Sequence, residues 1–162
     1  MRELADADVD AALALWARTE HLGPTPREEL EQLRAHDPGL VLVAVDAAGT
    51  ASTSKQPAEG TGGGLAGVVL GSFDGRRGWI SRLAVAPDAR RRGIGRALVA
   101  EVERRLAARG CRQVNLLTFE DNRAGRAMWA ALGYRCLEQV VLYSRTIADS
   151  DATAADDAEP GC

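Results

Sequence analysis

Eight residues, Arg90-Arg-Arg-Gly-Ile-Gly-Arg-Ala97, constrain this chain more than any other stretch because of what flanks them. Before them stands Trp79-Ile-Ser-Arg-Leu-Ala-Val-Ala86, which reads as a strand closed by Pro87. After them Ile94, Leu98, Val102 and Leu106 recur every four residues, the spacing of one helix face. Glycines at 93 and 95 remove side chains, so consecutive backbone N–H groups can turn towards an anion, and a helix N-terminus adds partial positive charge behind them. The arginines offer charge-assisted hydrogen bonds to phosphate oxygens. The segment therefore reads as a cradle for a pyrophosphate. Taken alone, Gly-x-Gly is a weak motif and an arginine run is commonly a solvated face. A P-loop is excluded, since no Gly-Lys-Ser/Thr follows the glycines.

A second segment gives the first its meaning. After the next strand comes Asn122-Arg-Ala-Gly-Arg-Ala-Met-Trp-Ala-Ala-Leu-Gly133-Tyr134. The run Arg90-x-x-Gly93-x-Gly95 matches the Arg/Gln-x-x-Gly-x-Gly/Ala signature of the GNAT superfamily of acyl-CoA-dependent N-acetyltransferases. The later segment resembles that family's Asn-x-x-Ala-x-x-x-Tyr-x-x-x-Gly-Phe motif, in the same order and at the family's spacing. The resemblance spans roughly residues 2–147. Within the family, Leu15-Trp16 with Glu20-x-Leu22, Gly71-x-Phe73-Asp74-Gly75-x-Arg77-Gly78 and Ala108-Arg109-Gly110-Cys111 resemble the YpeA-like branch.

What the resemblance implies is an α+β fold of the α/β/α kind. Its mixed, mostly antiparallel sheet has six or seven strands and splays open between strands 4 and 5, with four helices, in the order β-α-α-β-β-β-α-β-α-β-β. It also implies acetyl-CoA as donor and a small-molecule or peptide amine as acceptor, and it leaves room for a homodimer.

Composition bounds the rest. At 162 residues with 46% apolar content the chain suits one domain with one sizeable core. No run of about 18 apolar residues suggests a membrane span, and no charged-then-apolar leader is read at the N-terminus, so a cytoplasmic protein is expected. Cys111, Cys136 and Cys162 lack disulfide or metal-ligand spacing, and His21 and His36 are too isolated for a metal site or a Ser-His-Asp triad. Residues 148–162 hold five of the 23 acids and no Lys or Arg, which leaves 18 acids against 20 bases in residues 1–147. The net charge of -3 thus comes from the tail, and the remainder is near neutral. That tail, acidic and alanine-rich, is expected to be disordered. Nucleic-acid binding through Arg90–Arg96 and Arg104–Arg112 lacks the interleaved aromatics such surfaces use.

Local signals place the elements. Arg2–Leu4 is a short strand. Asp6 or Asp8 caps a helix that turns Val9, Leu13, Leu15 and Trp16 to the core, and Thr25-Pro26-Arg27-Glu28 reads as a capping box opening a second helix. Leu40–Val45 is a buried strand. Residues 46–64 form a flexible Gly/Ser-rich insertion, and Leu65–Phe73 and Trp79–Ala86 form a hairpin about Asp74-Gly75. Gly110 ends the long helix, Gln113–Phe119 is a strand, 123–132 a helix stopped by Gly133, and 134–147 closes with one or two strands.

The resemblance also assigns a site. Cofactor contacts fall on Leu83, Ala84 and Val85 through the backbone of a bulged fourth strand, on Arg90, Arg91, Arg92, Gly93, Ile94, Gly95, Arg96 and Ala97 around the pyrophosphate, and on Asn122 and Trp129 along the pantetheine arm. The acceptor pocket falls on Trp16, Glu20, His21, Asp74 and Trp79. Several relatives carry a basic Glu near the start of the fourth strand, where this chain has Trp79. Glu120 is then the first choice of base, with Asp74 and Glu20 or His21 behind it. Where the family's second motif has a Tyr that protonates the departing thiolate, this chain has Trp129, whose indole N–H cannot serve as an acid. The leading expectation is N-acetylation of a primary amine in a ternary complex. A CoA-binding or sensing module without turnover is the alternative.

Overall fold

The computed structural model describes residues 1–46 and 64–147. Five strands, β1 (Arg2–Glu3), β2 (Val41–Val45), β3 (Leu65–Phe73), β4 (Gly78–Val85) and β5 (Val114–Leu116), lie in the order β1-β2-β3-β4-β5. Neighbours are antiparallel except β4 and β5, which run parallel. Four helices accompany them: α1 (Val9–Ala17), α2 (Arg27–His36), α3 (Ile94–Ala108) and α4 (Arg123–Ala131). The α+β architecture and mixed sheet agree with the resemblance. None of the described helices is long and apolar enough to cross a membrane.

Both faces of the sheet are covered, which is why β3 is buried along most of its length rather than alternating. On one face α1 buries Val9, Ala12, Leu15 and Trp16 against β3 and β4. On the other, α3 lays Leu98, Val102 and Leu106 across β2, β3 and β4. The approach of α3 is close because the sheet carries glycine beneath it. A Cβ at Gly71 would come within 2.7 Å of Val102 Cγ1, and one at Gly78 within 2.7 Å of Leu106 Cδ1. Gly71→Ala therefore overpacks the core and is expected to cost about 1–3 kcal/mol. Thermal unfolding checks this, and an unchanged melting temperature would mean that α3 rides higher over the sheet.

The turn signals act as read. Asp74 Oδ1 accepts the N–H groups of Arg76 and Arg77 at 2.7 and 2.5 Å, and Gly75 takes φ +87. Gly110 and Gly133 follow α3 and α4 with φ of +82 and +87. The capping box does not form: Pro26 occupies the N-cap of α2, one residue later than expected, and buried Thr25 Oγ1 has no hydrogen-bond partner.

The expected strand count is also corrected, to five among the described residues. The fifth strand is three residues long rather than Gln113–Phe119, and residues 135–147 carry no ladder. Leu117, Phe119 and Val140–Tyr143 are exposed instead. The apolar pattern is there, but a strand exists only where a neighbour accepts its hydrogen bonds, and among the described residues the outer edge of β5 has none. The expected insertion lies almost wholly in residues 47–63, and the expected acidic tail in 148–162. Both fall outside the described residues.

Candidate active site

The pairing of β4 changes along its length, and the site follows from that change. On its β3 side the register runs Val68↔Ala84 and then Leu70↔Ser81, so Arg82 and Leu83 together lie opposite Val69. This is a β-bulge, with Arg82 at φ +51. On its other side β4 pairs β5 only at Gly78↔Val114, Trp79↔Asn115 and Ile80↔Leu116. Beyond Ile80 the two parallel strands part, leaving the outer edge of Ser81–Val85 without a strand partner among the described residues. The sheet thus opens between strands 4 and 5.

A cavity of ≈ 470 Å³ lies against this unpaired half of β4. Leu83, Ala84 and Val85 form one wall, and the turn into α3 forms its floor with Arg90, Arg91, Gly93, Ile94, Gly95 and Arg96. Gly93 caps α3 with φ +80 and no side-chain hydrogen bond, and the first bond of the helix runs from Ala97 N–H to Gly93 carbonyl. The N–H groups of Ile94, Gly95 and Arg96 precede that bond and have no intrahelical acceptor. Arg90 Nε donates to Val85 carbonyl at 3.3 Å, which ties the arginine turn to the bulged strand.

The far walls come from α4 and from the loop between α1 and α2. Asn122 Oδ1 accepts the Gly125 N–H at 2.8 Å, so it is the N-cap of α4 as well as a cavity residue. Trp129 lines the cavity and meets Tyr134 edge-on at 5.2 Å. Tyr134 itself points elsewhere: its hydroxyl donates to Glu103 Oε1 at 2.7 Å, and burial together with that carboxylate raises its pKa well above the ordinary phenol value. Glu20 and His21 line the opposite end.

Six expected site residues are not at the cavity, each for a physical reason. Arg92 makes a bidentate ion pair with Asp46 at 2.9 Å, which occupies its guanidinium. Ala97 sits one residue too far into α3, its N–H already used. Trp16 is wholly buried in the core; its Nε1 donates to Arg82 carbonyl at 2.7 Å. Asp74 is consumed by its own turn, whose N–H groups hold its carboxyl below the ordinary range. Trp79 sits where β4 still pairs with β5, upstream of the opening. Glu120 is exposed in the turn before α4, and its carbonyl accepts from Arg126.

Thr19 and Leu22 fall in the segment Trp16–Thr25, where the resemblance puts an acceptor pocket; Ala89, Ala124, Gly125 and Met128 are cavity residues that went unread in the sequence. Ala124 and Met128 stand at i and i+4, beside Gly125 and Trp129 at the same spacing, so the helical period carried a signal for that face. Arg82 carried none, since a positive φ at a non-glycine is invisible in sequence. Among the described residues the non-glycines with positive φ are His21, Arg82 and Arg91, at +66, +51 and +59. Two of them line the cavity and the third makes its bulge. Such backbone conformations cost roughly 1–3 kcal/mol each and gather at functional sites. A second hollow of ≈ 510 Å³, beside β5 and Tyr134, contains none of the expected residues.

Comparison with known proteins gives the family. The Acetyltransferase (GNAT) family matches residues 8–134, and the chain belongs to that family. An acetyltransferase of Pectobacterium atrosepticum is 36% identical over 146 residues, covering 89% of this chain and 93% of the relative. One of Yersinia enterocolitica is 33% identical over 153 residues, covering 93% and 98%. Among solved structures, Ard1 from Thermoplasma volcanium superposes with a TM-score of 0.67 at 20% identity, covering 82% of this chain and 79% of that one. AAC(6')-Iy in complex with the bisubstrate analogue CoA-S-monomethyl-acetylneamine gives 0.65 at 19% identity, covering 90% and 97%. The protein is an acetyltransferase of the GNAT fold.

Proposed function

We propose that the chain moves an acetyl group from acetyl-CoA to a primary amine, carried by a small molecule or a peptide, by direct attack in a ternary complex. The observation that carries this reading is the meeting, in one cavity, of an uncapped helix N-terminus with the one-sided, bulged half of β4. Each half fits a different part of the donor. The N–H groups opening α3, with Arg90, Arg91 and Arg96 around them, suit a pyrophosphate. The free edge of Ser81–Val85 suits an amide-bearing arm laid alongside it as an added strand, and an N–H near the bulge suits the thioester carbonyl. The bisubstrate complex of a fold neighbour, which carries CoA, supports the same donor. Kinship to the YpeA-like branch rests on the sequence segments quoted above.

The residues divide the chemistry. Acetyl-CoA supplies an activated acyl thioester. Leu83–Val85 orient and polarise its carbonyl through the backbone, so their side chains can vary within the limits of packing. Trp129 packs against the arm near the sulfur and supplies no proton.

A second reading, a CoA-binding module without turnover, is favoured by one observation: among the described residues no phenol lines the cavity, because Trp129 stands at the motif's Tyr position and Tyr134 is bound to Glu103. A thiol with a pKa near 8.5 is nevertheless a tolerable leaving group unassisted. Calorimetric binding of acetyl-CoA combined with CoA release over a panel of amines separates the two. Binding with amine-dependent release supports transfer, whereas binding with no release supports the module.

Trp129→Tyr is expected to keep the fold and leave turnover equal to or modestly above wild type. Trp129→Ala is expected to weaken acetyl-CoA binding about tenfold or more by opening a void beside the arm, roughly 1.4 kcal/mol per factor of ten. Calorimetry on both variants checks this, and unchanged affinity in Trp129→Ala would remove Trp129 from the donor site.

A further inference from the structure

We propose that His21 is the general base that takes the proton from the acceptor ammonium, an assignment that rests on the acetyl-transfer reading above. Among the described side chains lining the cavity, Glu20 and His21 are the ones that offer a carboxylate or an imidazole to accept a proton; the others are apolar, amide, hydroxyl, indole or guanidinium. The Glu20 carboxylate is 89% exposed and His21 is 19% exposed, so His21 is the one held in place.

Its position is built from two directions. In the loop between α1 and α2, His21 adopts φ +66, which sets the direction of its side chain. From the segment between β5 and α4, Phe119 stacks on the imidazole at 5.5 Å with planes 29° apart. Arg82, in the bulge itself, donates from its guanidinium to Leu22 carbonyl at 3.1 Å, and its own carbonyl accepts from Trp16. The loop that carries His21 is thereby fastened to the bulge that borders Leu83.

Charge around the ring suits an imidazolium formed during reaction. Nε2 lies 3.8 Å from Glu20 Oε1 on its own loop, and Nδ1 lies 3.7 Å from Asp121 Oδ1 beside α4. Both separations exceed a hydrogen bond, so neither nitrogen is committed to these partners, while both carboxylates attract a positive ring. From β4 the charged group nearest the loop is the Arg82 guanidinium, bonded to Leu22 and 5.6 Å from the centroid of the Trp16 ring. Arg90, Arg91 and Arg96 belong to the floor formed by the turn into α3.

The step balances as follows. An alkylammonium passes one proton to the imidazole and becomes a neutral amine. The amine lone pair forms the C–N bond at the thioester carbonyl carbon, and collapse of the adduct breaks the C–S bond. The nitrogen's second proton passes through water to the departing thiolate, and His21 releases the first to solvent. The sum is ammonium plus acetyl-CoA giving amide, CoA thiol and one proton.

The test uses His21→Asn and His21→Gly, because Asn and Gly both accept a positive φ and preserve the loop. Probe amines are a tetrapeptide with a free N-terminus, Nα-acetyl-lysine amide, spermidine and kanamycin, with CoA release as readout. Expected are a fall in kcat/KM of about 10²- to 10⁴-fold in both variants, acetyl-CoA affinity within about threefold of wild type, and partial rescue of His21→Gly by added imidazole. An active wild type beside His21→Asn that keeps its kcat/KM, with no rescue of His21→Gly by imidazole, overturns the His21 assignment alone. A wild type that binds acetyl-CoA but releases no CoA with any of the amines overturns the transfer reading, and the base with it.

Discussion

Acetyl-CoA at 100 times its Kd should stabilise the wild-type protein by about 2.7 kcal/mol, roughly 5–10 °C in melting temperature, and should leave Gly93→Asp/Gly95→Asp unmoved. Two features of the turn set the size of this loss. At Gly93 a Cβ would meet nothing within 4 Å, and at Gly95 it would make ordinary contacts at 3.5 Å with Val85 Cγ2 and 3.6 Å with Met128 Sδ. Both carboxylates can therefore be housed. A carboxylate at a helix N-cap is stabilising, which helps to offset the strain at φ +80 and keeps the variant folded. The same carboxylates take the N–H groups that the pyrophosphate would use and add like charge beside it. A pair of like charges 4 Å apart costs about 4 kcal/mol near a protein surface, so affinity should fall by at least about 100-fold. A retained thermal shift in the folded variant would move the donor site away from residues 90–96.

Truncation of Trp16 should have the next largest effect, and on two properties at once. Its ring is wholly buried, so Trp16→Ala is expected to cost about 3–5 kcal/mol, a large part of the 5–15 kcal/mol typical of a domain. The loss also strips Arg82 carbonyl of its 2.7 Å donor and the Arg82 guanidinium of the ring beneath it. Trp16→Phe isolates the second effect. It keeps an aromatic filler but removes the N–H, at an expected cost of about 1–3 kcal/mol for the unsatisfied carbonyl. With the bulge less firmly aimed, kcat should fall about tenfold while acetyl-CoA affinity, which rests mainly on the turn into α3, stays within about threefold. Chemical denaturation and steady-state kinetics check the pair. A fully active Trp16→Phe would show that the bulge holds its shape without the indole.

Trp16 also illustrates how far the sequence could be read. Its place just before the loop suggests a pocket residue, and its apolar neighbours at helical spacing suggest a core residue. Only packing decides between them, and burial wins. The turns were legible because Asp74, Gly75, Gly110 and Gly133 act through local backbone geometry, which needs no partner elsewhere. The opening in the sheet was legible through resemblance, and its cause became visible in the register: β5 pairs with the first half of β4 alone. The pairing of Arg92 with Asp46 was not legible, since the two residues are distant in sequence and nothing local marks either for the other. Nor was the exposure of residues 135–147, whose apolar pattern resembles a strand but whose ladder depends on a free neighbour. His21 and Glu120 both carried plausible chemistry in sequence. The loop fastened by Arg82 brings one to the cavity, and the turn before α4 leaves the other in solvent.

If the cavity beside the bulged half of β4 holds acetyl-CoA for transfer to an amine, every CoA released should be matched by one acetylated amine. The most direct test is to count products: CoA released and acetylated amine formed, measured together by thiol titration and mass spectrometry. Expected is one acetylated amine per CoA in the wild type, with both products absent from Gly93→Asp/Gly95→Asp. Acetyl-CoA binding without any acetylated amine, or product formation undiminished in the double variant, would contradict it.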